Sequence, residues 1–364
     1  MSLFFYTNVT LFIATFIICF ILIITQNWHK SLTLDSFDGD QKFHTSPTIR
    51  IGGVGIFIGF LISLNFIYSQ SLHIWFLTIV ASLPCFLIGL LEDFSKAISP
   101  KVRILAIFSS GILFCFLTGY SLNTIDIIFF DFFLSISFFS IIFTAFAITG
   151  VANSINIIDG FNGLASGTLI IIFFGFSLVC QSTSDFELFY ICIISASIIF
   201  GFYVLNFPFG KIFLGDAGAY FLGYILSAIA ILLPLRNPEI SPWVSFLLCS
   251  YPITETFFSI LRKSLRKGHS PSQPDKVHLH MLIHKRLTPK ISKKLKLDGY
   301  KNSLTGFLMT GFSLLSLILT YLSLLLEYKQ FYFYLLFIVL YLMIYFKVSL
   351  LNLKVKSIAI RVKK

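Results

Sequence analysis

Long apolar runs fill most of the chain, and short polar segments separate them. A helix needs about 20 apolar residues to cross a bilayer, and runs of this order recur throughout. They predict eleven spans, at Leu3–Thr25, Ile51–Ser69, Ile74–Leu91, Ile104–Tyr120, Phe132–Thr149, Leu164–Cys180, Leu188–Asn206, Tyr220–Leu235, Trp243–Leu261, Thr305–Leu326 and Phe331–Tyr345. The fourth and fifth are the least regular, because Asp126 and Asp131 lie in their connection. We therefore expect an all-α integral membrane protein, a polytopic bundle of about 10–11 transmembrane helices.

Composition supports this fold class and excludes a soluble one. Hydrophobic residues make up 57% of the 364 positions and charged residues only 12%, whereas about a quarter of a soluble domain is charged. The six cysteines lie in or at the ends of apolar runs without a CxxC pair, which favours a packing role. The first run has no charged n-region or cleavage site, so it is predicted to be a span and not a removed signal peptide. One domain over residues 1–364 is expected, with a basic tail at 352–364.

Positive charge is distributed unequally between the two sets of loops that the predicted spans define. Of the 27 Lys and Arg residues, only Arg236 and Lys329 fall in the set that includes the N-terminus. The positive-inside rule then places the N-terminus outside, and the basic loops and the C-terminus in the cytoplasm. The net charge of +11 is accordingly ascribed to contact with anionic membrane lipid and phosphorylated substrates, and no nucleic-acid partner is expected.

Polar clusters concentrate in the same basic loops. They are QKFH at 41–44, ED at 92–93, NSINIIDGFNG at 153–163, PFGKIFLGDAG at 208–218 and PDKVHLH at 274–280. Taken singly, each has an ordinary explanation as turn glycines, surface histidines or a solvated helix end. Acids at the ends of spans are costly unless they face water, a cation or one another. Their common side of the membrane predicts one site assembled from several segments.

These clusters resemble the motifs of the polyprenyl-phosphate N-acetylhexosamine-1-phosphate transferases. NSINIIDGFNGLASG is similar to their NxxNxxDGxxGLAxG segment, and FPFGKIFLGDAGAYFLG to PAxxFxGDxGSxxLG. QKFHTSPTIRIGG, GLLEDFSKAISPKVRIL and PDKVHLH resemble the first-loop, acidic and late histidine motifs, in the same order along the chain. The resemblance implies a bacterial inner-membrane enzyme whose active site is formed by cytoplasmic loops. Such enzymes transfer a sugar-1-phosphate from a UDP-N-acetylhexosamine to undecaprenyl phosphate and release UMP.

The resemblance also implies roles for individual residues. Mg²⁺, or Mn²⁺, would bind Asp216, with Asn156 beside the metal or the diphosphate, because hard cations take oxygen ligands. Asp159 and Asn162 would line the nucleotide or sugar pocket, and Phe213 would stack on uracil. The anionic groups of both substrates would contact a basic and histidine set, Lys42, His44, His278 and His280.

The acidic pair departs from the family pattern, since Glu92 precedes Asp93 where two aspartates are usual. A phosphate monoester with a second pKa near 6 is already largely dianionic at neutral pH. We therefore expect Glu92 and Asp93 to orient the lipid phosphate, or to contact it through the metal, more than to act as a strong base. Met281 and Ala219 also depart, from a common His and Ser.

Several alternatives stay open. A secondary transporter would also have many spans with intramembrane acids, and a non-catalytic scaffold would fit the Glu92 departure. The peptidoglycan translocase is disfavoured because its multi-His run is absent. GlcNAc, GalNAc, QuiNAc and FucNAc differ by too little for the sequence to separate them. Direct and two-step transfer, and monomer and homodimer, are equally open.

Overall fold

The chain is almost entirely helical in a computed structural model, which describes residues 2–35, 48–67, 69–265 and 277–362. Two short strands, β1 (Leu34–Asp35) and β2 (Thr48–Ile49), pair in antiparallel fashion. The helices of the described residues are α1 (Ser2–Ile24), α2 (Gln26–Thr33), α3 (Gly52–Ser63), α4 (Ser69–Ala81), α5 (Leu83–Ser95), α6 (Pro100–Thr118), α7 (Ile128–Leu134), α8 (Ser137–Ile158), α9 (Leu164–Ser182), α10 (Phe186–Asn206), α11 (Gly215–Arg236), α12 (Pro242–Leu248), α13 (Ser250–Ser264), α14 (Leu279–Arg286), α15 (Thr288–Leu295), α16 (Lys301–Leu325) and α17 (Gln330–Val362), with a 3₁₀ turn at Asp298–Tyr300.

Eight helices of the described segments are long and apolar enough to cross a membrane. Two bent pairs bring the number to ten if each pair is one span: α4 with α5, bent by 41°, and α12 with α13, bent by 77°. The predicted span Ile51–Ser69 contains the shorter helix α3, which has 12 residues. The all-α polytopic fold is therefore confirmed, while two of the predicted spans are broken helices.

Three predicted boundaries are wrong. The span predicted at Phe132–Thr149 is two helices, because the chain is extended at Ile136 and α8 begins only at Ser137. Helix α8 then continues through the polar NSINII segment to Ile158, and the Asn156 side chain in its last turn has a partner in the site described below. Helix α17 likewise continues far beyond the predicted end at Tyr345 and takes in most of the predicted basic tail.

Helix α11 is the central helix and is buried along most of its length. Small residues allow its neighbours to approach it closely. A Cβ added to Gly89 of α5 would lie 2.6 Å from Ala217 Cα, and one added to Gly223 would lie 2.5 Å from Ala152 Cα of α8. These close packings fix the beginning of α11 against the ends of α5 and α8.

The segment leading into α11 is held by backbone hydrogen bonds to the segment that follows β2. Phe213 N–H donates to Ile49 O, Gly52 N–H to Phe213 O and Gly53 N–H to Leu214 O, each at 2.9 Å. The beginnings of α3 and α11 therefore lie side by side, which places Arg50 beside Asp216.

Candidate active site

Asp216 lies in the first turn of α11, where an acid is favoured by the helix dipole. The preceding Gly215 has φ +76°, and a Cβ there would lie 2.5 Å from both Arg50 O and Asp93 Oδ2. Glycine is therefore needed for two reasons, the left-handed backbone and the close approach of α5 and the β2–α3 segment.

The Asp216 carboxylate accepts hydrogen bonds from three elements. Oδ1 accepts from an Arg50 guanidinium N–H at 3.1 Å and from Asn156 Nδ2 at 3.0 Å. Oδ2 accepts from an Arg103 guanidinium N–H at 2.7 Å. Arg50 follows β2, Asn156 lies in the last turn of α8 and Arg103 in the first turns of α6. Side chains from distant parts of the sequence thus converge on one carboxylate.

Asp93 caps the beginning of α11. Its Oδ1 accepts from Asp216 N–H at 2.8 Å and its Oδ2 from Ala217 N–H at 3.0 Å, which satisfies two amides that have no partner within the helix. The side chain is 1% exposed, and Arg50 lies 3.6 Å from Oδ1. The role that this geometry gives Asp93 is to position Asp216.

Glu92 points to a different set of partners. Its Oε2 accepts from Ile98 N–H at 2.8 Å, and its Oε1 lies 3.6 Å from an Arg103 nitrogen. The carboxylate therefore orders the turn between α5 and α6 and sits beside the arginine that contacts Asp216. Both acids of the predicted pair reach the site, through different groups.

The described part of the cluster contains more carboxylates than guanidinium groups. Three described carboxylates, Glu92, Asp93 and Asp216, lie within 3.6 Å of the guanidinium groups of Arg50 or Arg103. The Arg103 Nε–H is buried and has no hydrogen-bond partner among the residues that the structure describes. A buried donor without a hydrogen-bond partner is poorly explained by a purely structural ion-pair network.

The loop after α8 forms the second wall of the site. Burial raises the pKa of Asp159 to about 7, although Arg50 opposes the shift. Asn162 fixes the loop: its backbone N–H donates to Asn302 Oδ1 at 2.7 Å, and its Nδ2 donates to Pro208 O and to Ser303 Oγ, each at 3.3 Å. The predicted pocket residue Asn162 thus ties this loop to α16 and to the segment before α11.

The histidine segment lies against that loop. The rings of His278 and His280 are stacked, with centroids 5.2 Å apart, and Phe161 is 5.7 Å from His280. Burial lowers the pKa of His280 to about 4, so its ring is neutral at pH 7. Neither ring nitrogen of His280 has a hydrogen-bond partner within the described part of the chain. It can hydrogen-bond a ligand but does not supply a positive charge.

The predicted residues therefore form two adjoining groups. Glu92, Asp93, Asn156 and Asp216 lie in the terminal turns of helices and not in loops, while Asp159, His278 and His280 lie beside them; a Cβ added to Gly160 would be 3.9 Å from His280 Nε2. Phe213 is partly exposed next to Asp216. Lys42 and His44 lie outside the described residues.

Sequence reasoning missed three charged residues, Arg50, Arg103 and Glu255. Arg50 and Arg103 are part of the quoted motifs, but an arginine at the end of a span is equally expected from the positive-inside rule. Glu255 is a lone acid in an apolar run, which is itself a signal of a functional or structural partner.

The donor set fits a metal that takes few protein ligands. No group of three or more His, Cys, Asp or Glu side chains with metal-binding geometry occurs among the described residues, so a closed all-protein cage is not present there. Mg²⁺ is usually held by one or two carboxylates together with water and substrate phosphates. Asp216 and the amide oxygen of Asn156 are compatible with such an open site.

Comparison with known proteins gives consistent matches. The model of glycosyl transferase family 4 matches residues 75–234. The chain is 29% identical over 244 residues to a probable undecaprenyl-phosphate N-acetylglucosaminyl 1-phosphate transferase of Bacillus subtilis, covering 66% of this chain and 67% of the relative. It is 27% identical over 250 residues to an undecaprenyl-phosphate alpha-N-acetylglucosaminyl 1-phosphate transferase of Yersinia pestis, covering 67% of each.

A third relative carries the name of a different transferase. A phospho-N-acetylmuramoyl-pentapeptide-transferase of Streptococcus agalactiae is 29% identical over 210 residues, which are 54% of this chain and 62% of the relative. The residues that the family model matches include Asp93, Arg103, Asn156 and Asp216. The chain therefore resembles glycosyl transferase family 4 over residues 75–234, and resembles undecaprenyl-phosphate N-acetylglucosaminyl 1-phosphate transferases and a phospho-N-acetylmuramoyl-pentapeptide-transferase over 54–67% of its length.

Proposed function

We propose that the protein transfers an N-acetylhexosamine-1-phosphate, with GlcNAc-1-phosphate as the first candidate, from a UDP-sugar to undecaprenyl phosphate. The product is a lipid-diphosphate-linked sugar that would initiate a cell-envelope polysaccharide in a bacterial inner membrane. The observation that carries the proposal is the convergence of Arg50, Arg103 and Asn156 on Asp216 at the beginning of α11.

The reaction joins two anions, so its main requirement is neutralisation and alignment of charge. An oxygen of undecaprenyl phosphate forms a bond to the β-phosphorus of the UDP-sugar. The bond from that phosphorus to the bridging oxygen breaks, and UMP leaves with the electron pair. Arg50 and Arg103 are placed to bind phosphate oxygens, and their contacts with Asp216 hold them in position before substrate arrives.

Divalent metal is part of this proposal. The excess of carboxylate over guanidinium in the cluster would repel a diphosphate unless a cation is added. Bound at Asp216 and Asn156, Mg²⁺ or Mn²⁺ would neutralise charge on the diphosphate oxygens. Asp93 keeps the Asp216 backbone in place, and Glu92 keeps Arg103 beside it. The neutral ring of His280 would donate or accept a hydrogen bond at the substrate.

The test is a turnover assay on the purified chain in lipid nanodiscs. Undecaprenyl phosphate is supplied with UDP-GlcNAc, UDP-GalNAc, UDP-QuiNAc or UDP-FucNAc, and both UMP and the lipid product are measured. One donor should give stoichiometric UMP and lipid-diphosphate sugar in Mg²⁺ and none in excess EDTA. Failure of every donor, with the folded protein present, would refute the proposal. Uptake of a solute by sealed vesicles without UMP release would favour the transporter.

A further inference from the structure

A buried carboxylate outside the Asp216 cluster holds the histidine segment in place. Glu255, in the second turn of α13, is 1% exposed. Its Oε1 lies 3.0 Å from His278 Nδ1 and accepts from Leu279 N–H at 3.0 Å, and its Oε2 accepts from the Tyr341 hydroxyl at 2.9 Å. All four residues are buried. Both oxygens of the Glu255 carboxylate therefore accept hydrogen bonds.

This carboxylate acts as the cap of α14 from another helix. His278 is the N-cap residue of α14, but its side chain makes no capping hydrogen bond to its own helix. Glu255 instead accepts a hydrogen bond from the N–H of Leu279, the first residue of α14. It thereby places negative charge where the helix dipole favours it. The direction of α14, and with it the position of His280, therefore depends on Glu255.

The last span reinforces the same segment. The hydroxyl of Tyr341, in α17, donates to Glu255 Oε2. One turn further along, the Tyr345 hydroxyl donates to Val277 O at 3.0 Å, and Arg262 also donates to Val277 O, at 2.7 Å. Contacts then continue from His278 to the stacked His280 and on to Phe161 in the loop that follows α8. A continuous set of contacts connects α17 to the wall of the candidate site.

We infer that Glu255 and Tyr341 are positioning residues that fix the orientation and the tautomer of His278. This inference rests on the proposed function, because it takes His278 as a group that binds substrate phosphate. Since Glu255 accepts, Nδ1 of His278 carries the proton that faces it. The orientation of Nε2, the other ring nitrogen, is then set by a span that contributes no residue of its own to the Asp216 cluster.

Kinetics of matched variants in nanodiscs test the positioning role. Glu255→Ala should raise KM for the UDP-sugar at least about tenfold, Glu255→Gln should recover most of the loss, and Tyr341→Phe should raise KM about threefold. Tyr332→Phe is the control, since Tyr332 lies on the same helix and is 60% exposed; its KM should stay within about twofold. A merely structural defect would reduce the amount of active enzyme and leave KM unchanged, and that result would overturn the inference.

A second readout does not need turnover. In protein labelled with ¹⁵N-histidine, the His278 signals, assigned with His278→Gln, should report an Nδ1-protonated ring in the wild type at alkaline pH. Glu255→Ala should shift them toward the Nε2-protonated form. If the wild type transfers no sugar but shows this change, the positioning role stands and the proposed function fails. An Nε2-protonated His278 ring in the wild type would refute the positioning role. If Glu255→Ala does not fold, the kinetic test rests on Tyr341→Phe, and a wild-type KM of that variant would also refute the role.

Discussion

The two ends of α11 carry ionic clusters built from the same residue types and arranged differently. The helix has 22 residues, so its ends lie about 30 Å apart at 1.5 Å per residue. At its beginning, Asp216 is shared by donors from three elements. At its end, Arg236 binds Asp185 through two nitrogens, at 2.7 and 2.8 Å, and Glu187 at 2.9 Å. Asn237 Nδ2 also donates to Asp185.

The difference separates a structural cluster from a chemical one. The Asp185–Arg236 pair is bidentate, the strongest geometry for this pair of groups, and it fastens the α9–α10 turn to the end of α11. In the Asp216 cluster each guanidinium instead gives Asp216 one hydrogen bond, and the buried Arg103 Nε–H has no hydrogen-bond partner in the described segments. Residue type alone does not distinguish the two clusters, but the pairing geometry does.

The same substitution at the two ends should have opposite consequences. We expect Asp216→Asn to lower transfer at least about a hundredfold while the protein stays folded, because the charge that would bind the metal is lost and one of the two acceptor oxygens is replaced by an NH₂ group. Asp185→Asn should leave transfer within about twofold and lower the free energy of unfolding by about 1–2 kcal/mol, since Arg236 loses its main partner. Turnover and thermal unfolding are measured on both variants in the same nanodiscs.

Two results would break the comparison. Near-normal turnover of Asp216→Asn, or full wild-type activity in excess EDTA, would refute the assignment of Asp216 as a metal ligand. It would also refute the claim that the cluster at the beginning of α11 carries the chemistry. Loss of turnover in folded Asp185→Asn would mean that the other end also takes part in the reaction.

Replacing arginine by lysine sharpens the comparison, because lysine keeps the charge and loses the planar fork. Arg103→Lys should reduce kcat/KM about tenfold, since one ammonium cannot contact Asp216 and stay beside Glu92 in the same geometry. Arg236→Lys should leave kcat/KM unchanged and lower stability by about 1 kcal/mol. Equal kinetic effects of the two substitutions would contradict the distinction.

Two carboxyl groups, Asp159 near the beginning of α11 and Asp185 at its end, should make the stability of the protein depend on pH with opposite sign. Burial raises the pKa of Asp159 to about 7 from an ordinary 3.8, so the folded state holds a proton that the unfolded state loses. Stability should therefore fall as pH rises from about 4 to about 7. Burial alone would raise the pKa of Asp185 too, but hydrogen bonds from Arg236 and Leu188 N–H outweigh it and lower that pKa. The stability from Asp185 is present above about pH 4 and is lost below it.

Melting curves in metal-free buffer measure both signs. The melting temperature of Asp159→Asn minus that of the wild type should increase between pH 4.5 and 7.5, at about 2–4 °C per kcal/mol. The deficit of Asp185→Asn should shrink as pH is lowered below about 4. A pH-independent difference for Asp159→Asn would show that this carboxyl titrates normally.

Hydropathy predicted the helices and missed the breaks between them. Apolar length identifies a span because the bilayer requires it, but it does not determine direction. The 77° bend between α12 and α13 falls at Cys249, inside the single span predicted at Trp243–Leu261. Hydropathy averaged over such a segment does not locate a bend within it, and tertiary packing decides where the bend occurs.

The motifs predicted which segments meet but not how their side chains pair. Asp216 and Asn156 were expected together and lie 3.0 Å apart. The pairing of Glu255 with His278 and Tyr341 joins residues 23 and 86 positions apart, and no local pattern encodes such distances. Asp93 was expected beside the substrate, and its capping of α11 follows only from the close contact of α5 with α11.

Within the Asp216 cluster the smallest effect on transfer is expected at Glu92, where the chain departs from the paired aspartates of the family pattern that its motifs resemble. Its carboxylate accepts from Ile98 N–H and adjoins Arg103, which is the geometry of an orienting group. Glu92→Asp should retain activity within about tenfold, or about 1.4 kcal/mol of barrier. Glu92→Gln keeps an oxygen for Ile98 N–H and should be impaired less than Asp216→Asn, or than Asp93→Asn, which removes one of the two oxygens that cap α11. The pH–rate profile of Glu92→Gln at saturating UDP-sugar decides the role. If this variant is inactive at neutral pH and recovers at high pH, where the lipid phosphate loses its last proton unaided, Glu92 is a general base and the orienting role is wrong.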